Sequence, residues 1–106
     1  MKLQLYVSPE AWRDVDDIAS YIQTHSPGSA VRFFDTCWAT FEKLCENPQI
    51  GPVVEDVDPQ WEGLRKWALH RFLNYLIYYR VREDRIEIVH VYHGAQDPGR
   101  FFQSPQ

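Results

Sequence analysis

The hydrophobic period of the sequence changes along the chain between that of helices and that of strands, and this limits the chain to folds that combine helices with a sheet. Between residues 9 and 47, apolar side chains recur three and four positions apart, the period of amphipathic helices. From Leu64 onward they recur at every second residue, the period of strands. Residues 2–7 also alternate polar and apolar, which predicts a first strand before the helices. The sequence therefore predicts an α+β fold in the order β-α-α-β-β-β.

Cap and proline signals mark the ends of two helices. Ser8-Pro9 combines a capping hydroxyl with a proline suited to the first helical turn, and Ser26-Pro27 repeats the signal. We expect the first helix to end near His25, and the second to start almost at once and to close at Asn47-Pro48. The two helices would form a hairpin.

The second half of the sequence predicts a sheet entered through a long loop. Residues 49–63 carry prolines and glycines without a sustained period, which is typical of a loop. Strands are predicted at residues 64–69, 74–81 and 85–92, the last two joined by a turn at residues 82–84. We expect an antiparallel meander that forms one sheet with the first strand.

The strand at residues 74–81 carries apolar or aromatic side chains on both of its faces, whereas a sheet with one wet face alternates more cleanly. Two helices can cover one face only. Two alternatives remain for the other face. Either the long loop, anchored by Trp61, and the tail at residues 94–106 fold back over it, or a partner covers it.

Composition narrows the class of protein. A length of 106 residues suits a single domain, residues 1–106. Cys37 and Cys45, eight positions apart on one predicted helix, are too distant for a disulfide and are expected to be buried in a reducing compartment. No apolar run reaches the roughly 18 residues of a membrane span, and no signal peptide is apparent. These observations predict a cytoplasmic protein that does not enter a membrane.

Charge and side-chain spacing make several kinds of site improbable. A net charge of −4 disfavours direct, sequence-specific binding of nucleic acid, because such binding depends on Lys and Arg at the phosphates. His90 and His93 fall on opposite faces of their predicted strand, and no cysteine lies near them, so no zinc spacing exists. No phosphate-binding glycine loop or nucleophilic triad is present either. We expect no metal and no cofactor.

Many short stretches of the sequence, in this order and spacing, resemble the ParE toxins of the RelE/ParE superfamily, the plasmid stabilisation proteins of type II toxin–antitoxin systems. In the first half these are Ala11, residues 14–18, Tyr21-Ile22, Ser26-Pro27, Ala30, Arg32-Phe33, Leu44, Pro48 and Gly51. In the second half they are residues 63–65, Trp67, Phe72, residues 74–77, Tyr79-Arg80, and residues 86–91 leading to His93-Gly94-Ala95. The resemblance covers nearly the whole chain.

The resemblance implies a toxin that inhibits DNA gyrase stoichiometrically and has no catalytic activity of its own. It also implies a complex with a ParD-like antitoxin, whose C-terminal amphipathic helix would lie in a groove of the toxin, with β-augmentation as a further contact. The antitoxin-binding candidates are the aromatic residues Trp12, Phe34, Trp38, Trp67, Phe101 and Phe102. Aromatic residues at helical spacing more often belong to the core than to an interface, so each of these rings is also open to interpretation as a core side chain.

Five residues are candidates for target binding and toxicity: Arg65, Arg80, His93, Gln96 and Asp97. In the family the segment after the last strand commonly reads His-Gly-Ala-Arg-Asp, so this chain has Gln96 in place of a basic residue. The copy is therefore expected to be weakened, inactive apart from antitoxin binding, or different in its target surface.

The related RelE branch contains ribosome-dependent ribonucleases, and that activity is the alternative. It would use Arg65, Arg80 and His93 as its catalytic residues. The many lysines of the RNA-cleaving branch are missing here. The two arginines are also open to a structural interpretation, in which they pair with a carboxylate or lie over an aromatic ring.

Overall fold

The computed structural model describes residues 2–96 and 99–103. The chain begins with strand β1 (Gln4–Val7), followed by helices α1 (Pro9–His25) and α2 (Ser29–Glu46). A short 3₁₀ helix (Pro59–Trp61) interrupts the loop that follows. Strands β2 (Arg65–Leu69), β3 (Phe72–Arg82) and β4 (Arg85–His93) come next, and a single helical turn, α3 (Gly99–Phe102), follows them. The predicted order of elements is confirmed.

The four strands form one mixed sheet in the order β1-β4-β3-β2. β2, β3 and β4 make the predicted antiparallel meander, and β1 joins it parallel to β4, with Leu5 opposite Ile86. A bulge interrupts the pairing of β3 with β4: Tyr78 lies opposite His90 and Tyr79 opposite Ile88. The intervening Val89 therefore has no opposite residue on β3, and the strand bends there.

Both helices pack on one face of the sheet through the apolar stripes that the sequence predicts. Ser8 caps α1 by accepting a hydrogen bond from the Ala11 N–H (3.0 Å). The main core consists of the inward residues of α1 and α2 and of one sheet face, among them Ala11, Val15, Ala19, Ile22, Phe33, Cys37, Phe41, Leu44, Ile77, Tyr79, Ile86, Ile88 and Val91. Cys37 and Cys45 are free and buried, as predicted.

The junction between the helices differs from the prediction. Ser26 closes α1, since its N–H bonds to the Ile22 carbonyl, and Pro27 lies between the helices rather than in the first turn of α2. Gly28 precedes α2 with a φ of 91°, in the left-handed region that glycine adopts without strain. The turn therefore needs the glycine, and α2 starts two residues later than the proline signal indicates.

The second face of the sheet is covered by the chain itself. Leu64, Tyr78, Val89 and Phe102 form a second buried cluster, and Val54, Val57 and Trp61 of the loop pack against it. The Asp58 N–H donates to the Phe102 carbonyl (2.6 Å), which joins the tail to the loop. Of the two alternatives for this face, the fold-back of loop and tail is the one observed. Trp61 is not the sole apolar anchor of the loop, because the two valines share that role.

Candidate functional site

Two tryptophans meet on the outer surface of the helical hairpin. Trp12 of α1 and Trp38 of α2 have ring centroids 5.4 Å apart at 58°, and the two residues are 41% and 40% exposed. Trp38 also contacts the buried ring of Phe41 edge-on at 5.8 Å. The pair is therefore held in place from below by the core, while much of its surface remains open to solvent.

A shallow groove runs from the tryptophans along the crossing of the helices. Helical spacing places Trp12 and Asp16 one turn apart on α1, and Phe34 and Trp38 one turn apart on α2. The groove includes an open depression of about 670 Å³ lined by Asp16, Ala19, Ser20, Gln23, Ala30 and Phe34. We call this surface, from the two tryptophans to Gln23 and Ala30, the hairpin groove.

The structure divides the six aromatic antitoxin candidates among three places. Trp12, Phe34 and Trp38 belong to the hairpin groove. Trp67 is half-buried on β2, at the other side of α2, with the Lys43 Nζ 5.8 Å from its ring centroid. Phe101 and Phe102 lie against the second face of the sheet, where Phe101 is 50% exposed and Phe102 is 1% exposed. Phe102 is thus a core side chain in this arrangement.

Arg65 holds the start of the long loop. Its Nη1 donates to the Gly51 carbonyl (2.7 Å) and to the Gln49 carbonyl (3.2 Å). The Tyr79 hydroxyl adds a second anchor, because it donates to the Pro48 carbonyl and accepts from the Gly51 N–H, each at 3.0 Å. Gly51 fits there because a Cβ would lie 2.4 Å from the Lys66 carbonyl oxygen. Arg65 therefore positions the loop through backbone acceptors.

Arg80 is bound on three sides. Its Nε donates to the Glu87 carboxylate on β4 (2.7 Å), its Nη1 donates to the Gln60 carbonyl (3.0 Å), and its guanidinium lies 4.6 Å from the Trp61 ring centroid. The side chains of Arg80 and Glu87 are only 16% and 14% exposed. Arg80 has the ion pair and the aromatic contact of the structural interpretation.

His93 and Gln96 form a closed turn after β4. The Gln96 N–H donates to the His93 carbonyl (2.9 Å), and the Gln96 Oε1 accepts from the His93 N–H (2.7 Å). The His93 Nδ1 accepts from the Ala95 N–H (3.0 Å), and its ring contacts Tyr75 edge-on. Gly94, Ala95 and Gln96 are exposed at the surface. Asp97 lies outside the described residues.

A histidine–aspartate pair, in which His90 is buried and Asp14 is half-buried, is a feature that sequence reasoning missed. The Asp14 carboxylate lies 2.7 Å from the His90 Nδ1 and accepts from the Val91 N–H (3.0 Å). It completes the edge of β4 beyond the end of β1, where Ser8 also donates to the Val89 carbonyl (2.9 Å). The His90 Nε2 is buried without a hydrogen-bond partner among the described residues. Asp14 and His90 are 76 positions apart, so no local pattern indicates that they meet.

His90 and His93 point to opposite faces, as predicted. His90 stacks on Tyr92 and meets Phe101 edge-on at 4.6 Å, under the tail, whereas His93 lies beside Tyr75 at the helical face. Within residues 2–96 and 99–103, no three His, Cys, Asp or Glu side chains converge as metal ligands. No helix in the same ranges is long and apolar enough to cross a bilayer.

Comparison with known proteins gives a family and a fold. The family model described as the ParE toxin of the type II toxin–antitoxin system, parDE, matches residues 5–98. A solved structure titled chromosomal ParDE TA system from P. aeruginosa matches with a TM-score of 0.72 and 21% sequence identity. The match covers 87% of this chain and 96% of that one, and at this identity it establishes a shared fold. A search of curated proteins found no match.

Proposed function

This chain belongs to the ParE toxin family of type II toxin–antitoxin systems, and from that premise we propose that it blocks DNA gyrase stoichiometrically and is neutralised by a ParD-like antitoxin. Residues 1–106 would form a single toxin domain that acts in the cytoplasm, where gyrase works. Two parts of the molecule support separate halves of the proposal: the hairpin groove for the antitoxin and the turn after β4 for the target.

The half-exposed pair of Trp12 and Trp38, whose rings contact each other at an angle of 58°, is the observation that supports antitoxin binding. Large aromatic side chains dominate the binding energy of interfaces when they lie in a groove that a partner can close. Here the two indoles are held by Phe41 from below and are about 40% exposed above. The groove beyond them has the shape that receives the apolar face of an amphipathic helix. Asp16 in its wall would pair with a lysine or arginine of that helix.

The antitoxin half is tested by measuring the Kd of the ParD-like protein encoded beside the toxin gene. We expect Trp12→Ala and Trp38→Ala each to weaken binding by at least about thirtyfold, since such anchors contribute about 2 kcal/mol or more. Tyr21→Ala is the matched control, because Tyr21 is an aromatic residue on the same helix and is 60% exposed, but it lies about two and a half turns from Trp12 and so on the opposite side of α1. Equal losses in all three variants would contradict this site.

The target half involves the exposed turn at His93–Gln96. Among the target-binding candidates, Arg65 and Arg80 are engaged with loop carbonyls and with Glu87, so we propose that they act by positioning the loop. His93 and Gln96 instead shape a surface turn that a protein target can contact directly. We include Asp97 in this surface on the basis of its sequence position alone.

The target half is tested with purified chain in a gyrase supercoiling assay. We expect inhibition that saturates near one toxin per gyrase subunit, accumulation of cleaved DNA, and reversal by the antitoxin. Cleavage of messenger RNA on ribosomes would favour the ribonuclease instead. Tight antitoxin binding without either effect would identify a chain that keeps only its antitoxin interface.

A further inference from the structure

The ring of His93 accepts a hydrogen bond from the backbone two residues further along the chain. Its Nδ1 lies 3.0 Å from the Ala95 nitrogen. A peptide N–H only donates, so this Nδ1 must keep its lone pair and the ring must be neutral, with its proton on Nε2. The bond therefore depends on the protonation state of the ring.

Two other histidines bond through Nδ1, but in the opposite sense. The His90 Nδ1 lies 2.7 Å from the Asp14 carboxylate, and the His25 Nδ1 lies 2.9 Å from the Tyr21 carbonyl. Both partners are acceptors, so each Nδ1 donates, and a second proton on Nε2 leaves the bond in place. Of these three rings, His93 is the one that loses its hydrogen bond when it becomes charged.

The described groups that face the His93 ring are uncharged near neutral pH. Tyr75, opposite His93 on β3, contacts the ring edge-on with centroids 5.1 Å apart. Burial, with a contribution from Tyr21 of α1, raises the pKa of Tyr75 above its ordinary value of 10.0. No carboxylate of the described residues lies within salt-bridge distance of His93, and Asp97 is outside them. Between about pH 5 and about pH 8, the charge change at this ring is thus its own titration.

Three hydrogen bonds close the turn after β4, and one of them depends on pH. The other two link His93 with Gln96, at 2.9 Å and 2.7 Å, and neither involves a titrating atom. The Gly94 N–H donates to the Asn74 carbonyl (2.6 Å), which ties the start of the turn to the sheet. A second proton on the ring sets the Nδ1–H against the Ala95 N–H, so that two donors face each other. Because Ala95 is exposed, its N–H can turn to water instead.

We propose that this turn is a pH-sensitive switch, which neutral His93 holds closed and protonated His93 opens at Ala95. Acidification also places a positive charge next to Gln96, where the family commonly has an arginine. His93 and Gln96 belong to the proposed target surface, so the switch would change both the shape and the charge of that surface. This consequence rests on the proposed function, whereas the switch is a property of the turn itself.

The test is nuclear magnetic resonance of the full chain, labelled with nitrogen-15, from pH 8 to pH 5. We expect the Ala95 amide proton to move upfield with the same midpoint as the His93 ring. Its exchange with water, corrected for the intrinsic effect of pH, should quicken about fivefold, the equilibrium value of one net hydrogen bond.

Two substitutions hold the turn in its two states. His93→Asn places an oxygen on the same Cγ, which accepts from the Ala95 N–H without titrating, so the Ala95 amide should stay closed throughout. His93→Ala has no acceptor and should show the open position at every pH. His70→Asn is the matched control, because it removes an exposed histidine at the turn between β2 and β3 and should keep the transition.

Several outcomes would overturn the switch. These are an Ala95 amide that does not follow the His93 ring, an amide shift without faster exchange, the same pH dependence in His93→Asn, or loss of the transition in His70→Asn. If His93→Ala does not fold, the comparison of the original chain with His93→Asn decides alone. None of these readouts involves gyrase or the antitoxin, so failure of the switch is distinguishable from failure of the proposed function.

Discussion

Gln96 closes the turn after β4 by accepting a hydrogen bond through its side-chain oxygen. An arginine at this position could not accept that bond. The Gln96 Oε1 takes the His93 N–H at 2.7 Å, on the backbone that leaves the last strand. Arginine carries donors only. The glutamine therefore changes the geometry of this turn as well as its charge, and the two effects can be separated by substitution.

We expect Gln96→Arg to lower the free energy of unfolding by about 1 kcal/mol, because the His93 N–H loses its acceptor. The same change should strengthen toxicity if the missing positive charge limits target binding. Urea unfolding measures the first effect, and growth after induction measures the second. Gln96→Glu keeps an acceptor and should leave stability within about 0.5 kcal/mol of the original. An equal loss in the two variants would contradict the role given to the hydrogen bond.

The tail and the long loop form the second layer of the molecule, and Phe102 joins them. Its ring stacks on Tyr78 at 5.2 Å and meets Trp61 edge-on at 5.1 Å, and its carbonyl accepts from the Asp58 N–H. Without this layer the apolar side chains of β3 and β4 on that face would be open to water. The tail is therefore a structural element, although one helical turn is the only regular structure among the tail residues that the structure describes.

Phe102→Ala should lower the free energy of unfolding by about 3–5 kcal/mol, the usual cost of truncating a buried phenylalanine. Phe101→Ala is the matched control, because Phe101 is the neighbouring ring and is 50% exposed. We expect it to cost about 1 kcal/mol or less. Urea unfolding monitored by tryptophan fluorescence compares them, and similar losses would mean that Phe102 does not anchor the layer.

The elements that the sequence predicts well are those whose signals are local. α1 carries a side-chain cap at Ser8, both helices carry a continuous apolar stripe, and the strands carry a period of two, so the order of the elements follows from the sequence. The loop carries no period, and its anchors Val54 and Val57 are recognisable only once Leu64 and Phe102 are known to lie beneath them. The parallel pairing of β1 with β4 likewise depends on contacts between distant parts of the chain.

The candidate site was predictable to a similar degree. The aromatic residues of the hairpin groove follow from helical spacing, because Phe34 and Trp38 are one turn apart on α2. The contact between Trp12 and Trp38 depends on how the two helices pack against each other. No single stretch of the sequence predicts that packing. The internal bonds of Arg65 and Arg80 to loop carbonyls also depend on the folded loop.

At the scale of the whole molecule, the core holds weak acids in their neutral form. Burial raises the pKa of the Cys37 thiol from 9.0 to about 12. Burial, with smaller contributions from Asp14 and Tyr78, raises the pKa of Tyr92 from 10.0 to about 12. Burial also raises the pKa of Tyr79, against the opposing effects of the Gly51 N–H and of Arg65. Together these groups make the stability of the fold sensitive to alkaline pH.

The direction of this pH dependence follows from the pH at which the folded protein and the unfolded chain each release their protons. The unfolded chain loses them near pH 9 for the cysteine and near pH 10 for the tyrosines, whereas the folded protein keeps them to about pH 12 at Cys37 and Tyr92. The unfolded state thus binds fewer protons in this window, and the free energy of unfolding must fall as the pH rises through it.

Urea unfolding at intervals from pH 8 to pH 11 should show a plateau in the free energy of unfolding, followed by this decline. Tyr92→Phe should make the decline shallower above about pH 10. A decline of unchanged slope in this variant would show that Tyr92 does not contribute, and its ring would then have to be as accessible to water in the folded protein as in the unfolded chain.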